Sequence, residues 1–101
     1  MAAKTTKWDP AEHLDSPKAI VAYLNAAFED GDPELIAAAL GDVARAKGMS
    51  KVAKTAGVTR EALYKSLSKE GDPRLTTLLG VAKALGVKLS AVPKKKPAKA
   101  A

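Results

Sequence analysis

The chain has no cysteine and a single histidine. The first absence excludes a disulfide framework and any thiolate metal site, and it fits a reducing compartment. His13 has no second histidine, cysteine or activated nucleophile to work with, so it reads as a surface or capping residue. There is no glycine-rich phosphate loop and no carboxylate pair set in a metal-ligand pattern, which leaves an enzyme nothing to build a mechanism on. No catalytic residue, metal or cofactor is therefore expected. Long apolar runs are missing as well. The longest, Leu35 to Leu40, falls far short of a membrane span, and the opening residues MAAKTTKWDPAE hold no apolar signal core, so a cytoplasmic protein is expected.

What is present is an uneven distribution of charge. The net charge is +6 over 101 residues, a length that suits one small domain. Residues 1–46 carry four Lys or Arg against eight Asp or Glu, whereas residues 47–101 carry thirteen against three. An acidic half and a basic half point to two partners of opposite charge: nucleic acid for the C-terminal part and something basic for the N-terminal part. Lys94, Lys95, Lys96 and Lys99 lie in a Pro- and Ala-rich end. Residues 94–101 accordingly read as a disordered tail, residues 1–7 as a disordered arm, and residues 8–93 as the domain.

Local chemistry marks out helices. Ser16-Pro17 is a cap followed by a first-turn proline, and Ile20, Tyr23, Leu24, Ala27 and Phe28 follow at helical spacing, which predicts a helix from about 17 to 29. Gly31-Asp32-Pro33 stops that helix and starts another, whose buried stripe is Leu35, Ile36, Ala39, Leu40 and Val43 and which lasts to about Lys47. Gly41 inside it costs about 1 kcal/mol relative to alanine, so close helix packing is expected there. Ser50 is the expected cap of a third helix, Lys51 to Ala56. Gly71-Asp72-Pro73 repeats the earlier punctuation before a fifth helix carrying Leu75, Leu78, Leu79, Val81, Ala82 and Leu85. Val87 to Val92 alternates as a half-buried strand does, and its partner would be the same strand in a second copy or part of the N-terminal arm. Trp8, the only tryptophan, reads as an anchor pinning the arm to the domain or to a partner. Trp8 and Tyr23 are the candidate partner contacts.

The most informative stretch is Val52 to Leu67, VAKTAGVTREALYKSL. Two short helices crossing steeply need a small side chain where they touch, supplied by Ala53, and a bend that tolerates positive φ, supplied by Gly57. Val58 and Leu63 close the joint, and Thr59 caps a helix beginning at Arg60. Leu63, Ser66 and Leu67 then share one face, while Glu61, Tyr64, Lys65 and Ser68 share the other with Arg60 at the flank. A polar face rich in hydrogen-bonding groups is what reading the major groove of DNA requires.

Five helices with a sharp hairpin between the third and fourth resemble compact DNA-binding domains of the lambda-repressor type. The expected fold is all-α, a compact five-helix domain with a short C-terminal β-strand. More specifically, the DP near the N-terminus, the block GDPELIAAALGDVARAKGMS, the hairpin GVTREALYKSLS and the closing LGVKLS resemble the probable addiction-module antidote proteins. These are helix-turn-helix antitoxins related to the HigA type, and the likeness spans roughly residues 8–93. The resemblance implies neutralisation of a small RelE/ParE-like toxin encoded beside the chain, commonly an mRNA-cleaving ribonuclease, together with repression of the chain's own operon. It also implies that Thr59, Arg60, Glu61, Tyr64 and Lys65 form the recognition helix, with Ser50 and Lys51 placed to touch phosphate. A DNA reader built on one short helix needs a homodimer and an operator with inverted repeats. The alternative is a helix-turn-helix transcription regulator with no toxin partner.

Overall fold

In the computed structural model, residues 9–94 are described. They form a short 3-10 helix, Pro10–His13, and five α-helices: α1 Pro17–Asp30, α2 Pro33–Lys47, α3 Met49–Ala56, α4 Arg60–Ser66 and α5 Leu75–Leu85. The domain is all-helical. The starts of α1 and α2 follow from cap chemistry: the Ser16 hydroxyl accepts from the Ala19 N–H at 3.1 Å, and the Asp32 carboxylate accepts from the Glu34 N–H at 2.9 Å. Each cap precedes a proline, whose fixed φ suits a first helical turn. None of these helices is long and apolar enough to cross a membrane.

One core joins all five helices. Ile20 and Leu24 of α1, Leu40 and Val43 of α2, Val52 of α3, Leu63 of α4 and Val81 and Leu85 of α5 are buried together. Val43, Val52, Leu63 and Val81 are the largest fully buried side chains, so α4 hangs on the core through Leu63, with Leu67 buried just beyond its end. Gly41 sits where α2 meets the end of α4, and a Cβ there would run into the Leu67 carbonyl oxygen. The close approach expected at this position is therefore real. A Cβ at Gly80 on α5 would likewise lie 2.7 Å from the Ala56 Cα, which brings α5 tightly against α3.

Several expectations need correction. Ser50 does not cap α3. The chain turns at Gly48 and the helix begins at Met49, which is buried, so packing starts the helix one residue before any side-chain cap could form. Asp72 does not cap α5 either, because that helix starts at Leu75 after Arg74, with no side-chain cap bond. Gly71 instead donates to the Ser68 carbonyl at 2.8 Å and lies against the Ser66 carbonyl, so this loop is committed to the end of α4. Phe28, Leu35, Leu75 and Leu79 lie at apolar helical spacings yet are exposed, Leu75 by 67%. The predicted strand is absent: among the described residues, 87–94 form no strand. Among the described residues no other strand pairs with it, and alternation alone cannot hold a ladder.

Candidate nucleic-acid interface

The hairpin of α3 and α4 is fixed by its turn. Gly57 takes a left-handed backbone with φ 77°, the region a side chain resists, and its N–H closes α3. Val58 N–H then donates to the Ala53 carbonyl at 3.0 Å, and the half-buried Val58 packs on the core. The Thr59 hydroxyl accepts from the Ala62 N–H at 3.0 Å, which starts α4 at Arg60. At the other end, the Ser68 hydroxyl donates to the Lys65 carbonyl at 2.8 Å, occupying one of the last free acceptors.

This hairpin and the end of α2 enclose a groove of about 560 Å³, lined by Arg45, Lys47, Ser50, Lys51, Arg60 and Tyr64 among others. Four of these six residues are cationic. Ser50, Lys51, Arg60 and Tyr64 thus share the groove, whereas Thr59, Glu61 and Lys65 are exposed beside it. Arg60 lies across Tyr64, one helical turn on. Its guanidinium carbon is 5.2 Å from the ring centroid, and one of its nitrogens donates to the Tyr64 hydroxyl at 3.4 Å. Such a cation–π contact narrows the rotamers of a long side chain before any ligand arrives.

Arg45 and Lys47 were not singled out by sequence. In the last turn of a helix, cations read as partners of the helix dipole, and only the crossing of α2 with the hairpin brings them to this groove. Arg45 is held from behind. It bonds Asp42 at 2.6 Å and Asp9 at 3.3 Å, so both carboxylates draw its charge back from the groove. The Arg45 guanidinium, helped by the Ala11 N–H, holds the Asp9 carboxyl below its usual value, and the two carboxylates push Arg45 up in return. Asp42 also accepts the Tyr23 hydroxyl at 2.5 Å. Burial, then that hydrogen bond, pushes the Tyr23 phenol up to about 12.

Tyr23 is half-buried and lines a second groove, between α1 and α2. Trp8 lies outside the described residues. Among the described residues, no three His, Cys, Asp or Glu side chains gather as a metal site.

Fold and groove together define a small all-helical protein with a basic cleft between a short helical hairpin and the end of a third helix. The chain belongs to the family of probable addiction module antidote proteins, which it matches over residues 4–93. An uncharacterized protein of Haemophilus influenzae is 46% identical over 87 residues, 86% of this chain and 90% of that one. No solved structure matches the chain. Membership of an antidote family implies a toxin as partner and a role other than catalysis.

Proposed function

We propose that this protein is the antitoxin of a two-component module. It neutralises a small RelE/ParE-like toxin encoded beside it by direct binding, and represses its own operon through the α3–α4 hairpin. The family match over residues 4–93 carries the first part. The second rests on the groove that collects Arg45, Lys47, Lys51 and Arg60 around Ser50 and Tyr64. In this reading α4 enters the major groove. Arg60 reads a guanine edge, Tyr64 holds Arg60 in place, and Glu61 and Lys65 face neighbouring bases. Ser50 and Lys51, which line the groove beside Arg60, meet phosphate, as does the exposed start of α4 at Thr59.

A helix of seven residues spans too few base pairs for useful specificity, so the DNA-bound form is a homodimer on an inverted repeat. Its half-sites lie about 34–36 Å apart, or a multiple of that. The protein acts in the cytoplasm, where both operon and toxin are found.

The test is binding of the full chain to DNA from just upstream of its gene, compared with scrambled DNA at physiological salt. Preference for the upstream DNA, lost in Arg60→Ala/Lys65→Ala, establishes the autoregulator. Equal weak binding to both sequences would remove the operon from the reading and leave toxin neutralisation to stand alone. A regulator with no toxin would bind the operator equally well, and the product of the adjacent reading frame separates the two cases.

A further inference from the structure

The second groove, between α1 and α2, has a character opposite to the first. It is about 200 Å³ in volume and is lined by alanines of both helices and by Leu35, with Tyr23, Asp30 and Asp42 supplying its polar groups. Leu35 lies on the apolar stripe of α2 but is 44% exposed, so the groove leaves apolar surface uncovered. The volume is below the roughly 300–1,000 Å³ of pockets that enclose small ligands, and suits one or two inserted side chains.

Charge selects what those side chains belong to. From position 19 to 44 the chain carries Glu29, Asp30, Asp32, Glu34 and Asp42 and no Lys, Arg or His. The first four are exposed, and among the described residues only Asp42 of the five forms an ion pair. A trough with small apolar walls and an uncompensated acidic surround is complementary to an apolar side chain flanked by cations. A nucleic acid is repelled from this face, and a basic protein is repelled from the Arg60 groove.

We propose that the α1–α2 groove is the docking site for the partner toxin, and that it takes a basic segment which inserts an apolar side chain beside Leu35 and sets Lys or Arg against Asp30 and Asp42. This inference rests on the antitoxin reading above and names the surface that reading uses. It makes Tyr23 a wall of the partner site, and it separates the two binding faces, so that toxin and DNA can be held at once.

The test is titration of the full chain with the purified product of the adjacent reading frame. Leu35→Lys/Asp30→Lys should weaken binding by about tenfold to a hundredfold, as loss of an interface anchor does. Both positions are exposed, and a cation at the last residue of α1 suits the helix dipole, so the fold and upstream-DNA binding should be unchanged. Leu75→Lys, on the exposed side of α5, should leave toxin affinity as it is. Unaltered affinity in the double variant, or an equal loss in Leu75→Lys, would overturn the assignment. If the unaltered chain does not bind that protein at all, the antitoxin reading itself fails and the docking site falls with it.

Discussion

Asp42 and Arg45 form an ion pair of 2.6 Å across one turn of α2, with Asp42 lining the α1–α2 groove and Arg45 lining the basic one. Asp42 Oδ1 takes the guanidinium, while Oδ2 takes the Tyr23 hydroxyl at 2.5 Å. One carboxylate thus ties a side chain of the acidic groove to a side chain of the basic one. Both ends of this chain are reached by solvent, which limits what the ion pair adds to stability. Its consequence lies in where the charges are held.

The phenol of Tyr23 reports this network directly. Its proton is held to about 12, against an ordinary value of 10.0, first by burial and then by the bond to Asp42. A folded value above the unfolded one means that this contribution to stability is complete below pH 10 and is lost as pH rises towards 12. In a Tyr64→Phe background, where Tyr23 is the only tyrosine, tyrosinate absorbance should titrate with a midpoint near 12. Adding Asp42→Asn should lower the midpoint without returning it to 10, since burial remains. A midpoint near 10 with helical circular dichroism intact would show that Tyr23 is neither buried nor bonded as described.

Gly41 sets the seat of α4. Replacing it with alanine gains helix propensity worth about 1 kcal/mol. The new Cβ, however, meets the Leu67 carbonyl oxygen, a backbone atom that cannot rotate away. Forcing an extra carbon into a closed contact costs about 1–3 kcal/mol, and more when the neighbour cannot move, so Gly41→Ala should be destabilising overall. Urea unfolding with an unchanged slope and a lower midpoint is the expected result. A raised midpoint would mean that α2 and the end of α4 can part freely.

Gly41 was legible in the sequence because a glycine inside a strong helical pattern demands a reason. The caps at Ser16 and Thr59 were legible too, since each is settled by the residues beside it. Asp72-Pro73 carries the same letters as Asp32-Pro33 and caps nothing, because the loop before it is bound to the end of α4. Periodicity gives the direction of an apolar face but not its width. A five-helix core of this size covers Val81 and Leu85 and leaves Leu75 and Leu79 outside. Of the groove's four cations, Lys51 and Arg60 lie on α3 and α4 and could be foreseen from the hairpin. Arg45 and Lys47 enter only through the crossing of α2, which no local pattern encodes.

Arg60 and Lys51 should separate base reading from phosphate attraction. Arg60→Ala should cost on the order of 1–3 kcal/mol on the upstream site and relax base preference at one position. Arg60→Lys keeps the charge but gives up the planar stack on Tyr64, so it should recover nonspecific binding and little specificity. Lys51→Ala should weaken binding to all sequences alike and reduce the salt slope by about 1. Equal loss on every sequence in Arg60→Ala would reassign Arg60 to the phosphate backbone.

The Asp42 carboxylate predicts the sign of the coupling between the two faces. In the free protein it draws Arg45 back from the groove that Arg60 and Lys51 line. A partner cation placed against Asp42 competes for that carboxylate and frees Arg45 from the shorter of its two ion pairs, the one to Asp9 remaining, so part of its charge returns to the DNA side. Toxin binding should therefore tighten operator binding, and by thermodynamic reciprocity operator DNA should tighten toxin binding by the same factor. Asp42→Asn mimics the first half of this exchange. It should strengthen DNA binding at low salt and steepen the salt dependence modestly, because Arg45 keeps only its longer pair with Asp9 and more of its charge can displace counterions. The same change should weaken toxin affinity, because it removes a carboxylate from the acidic groove. Opposite shifts in the two affinities, measured by separate titrations of one variant, are the mark of a shared residue. If both affinities fall together, Asp42 only holds α1 against α2, and the two grooves are independent.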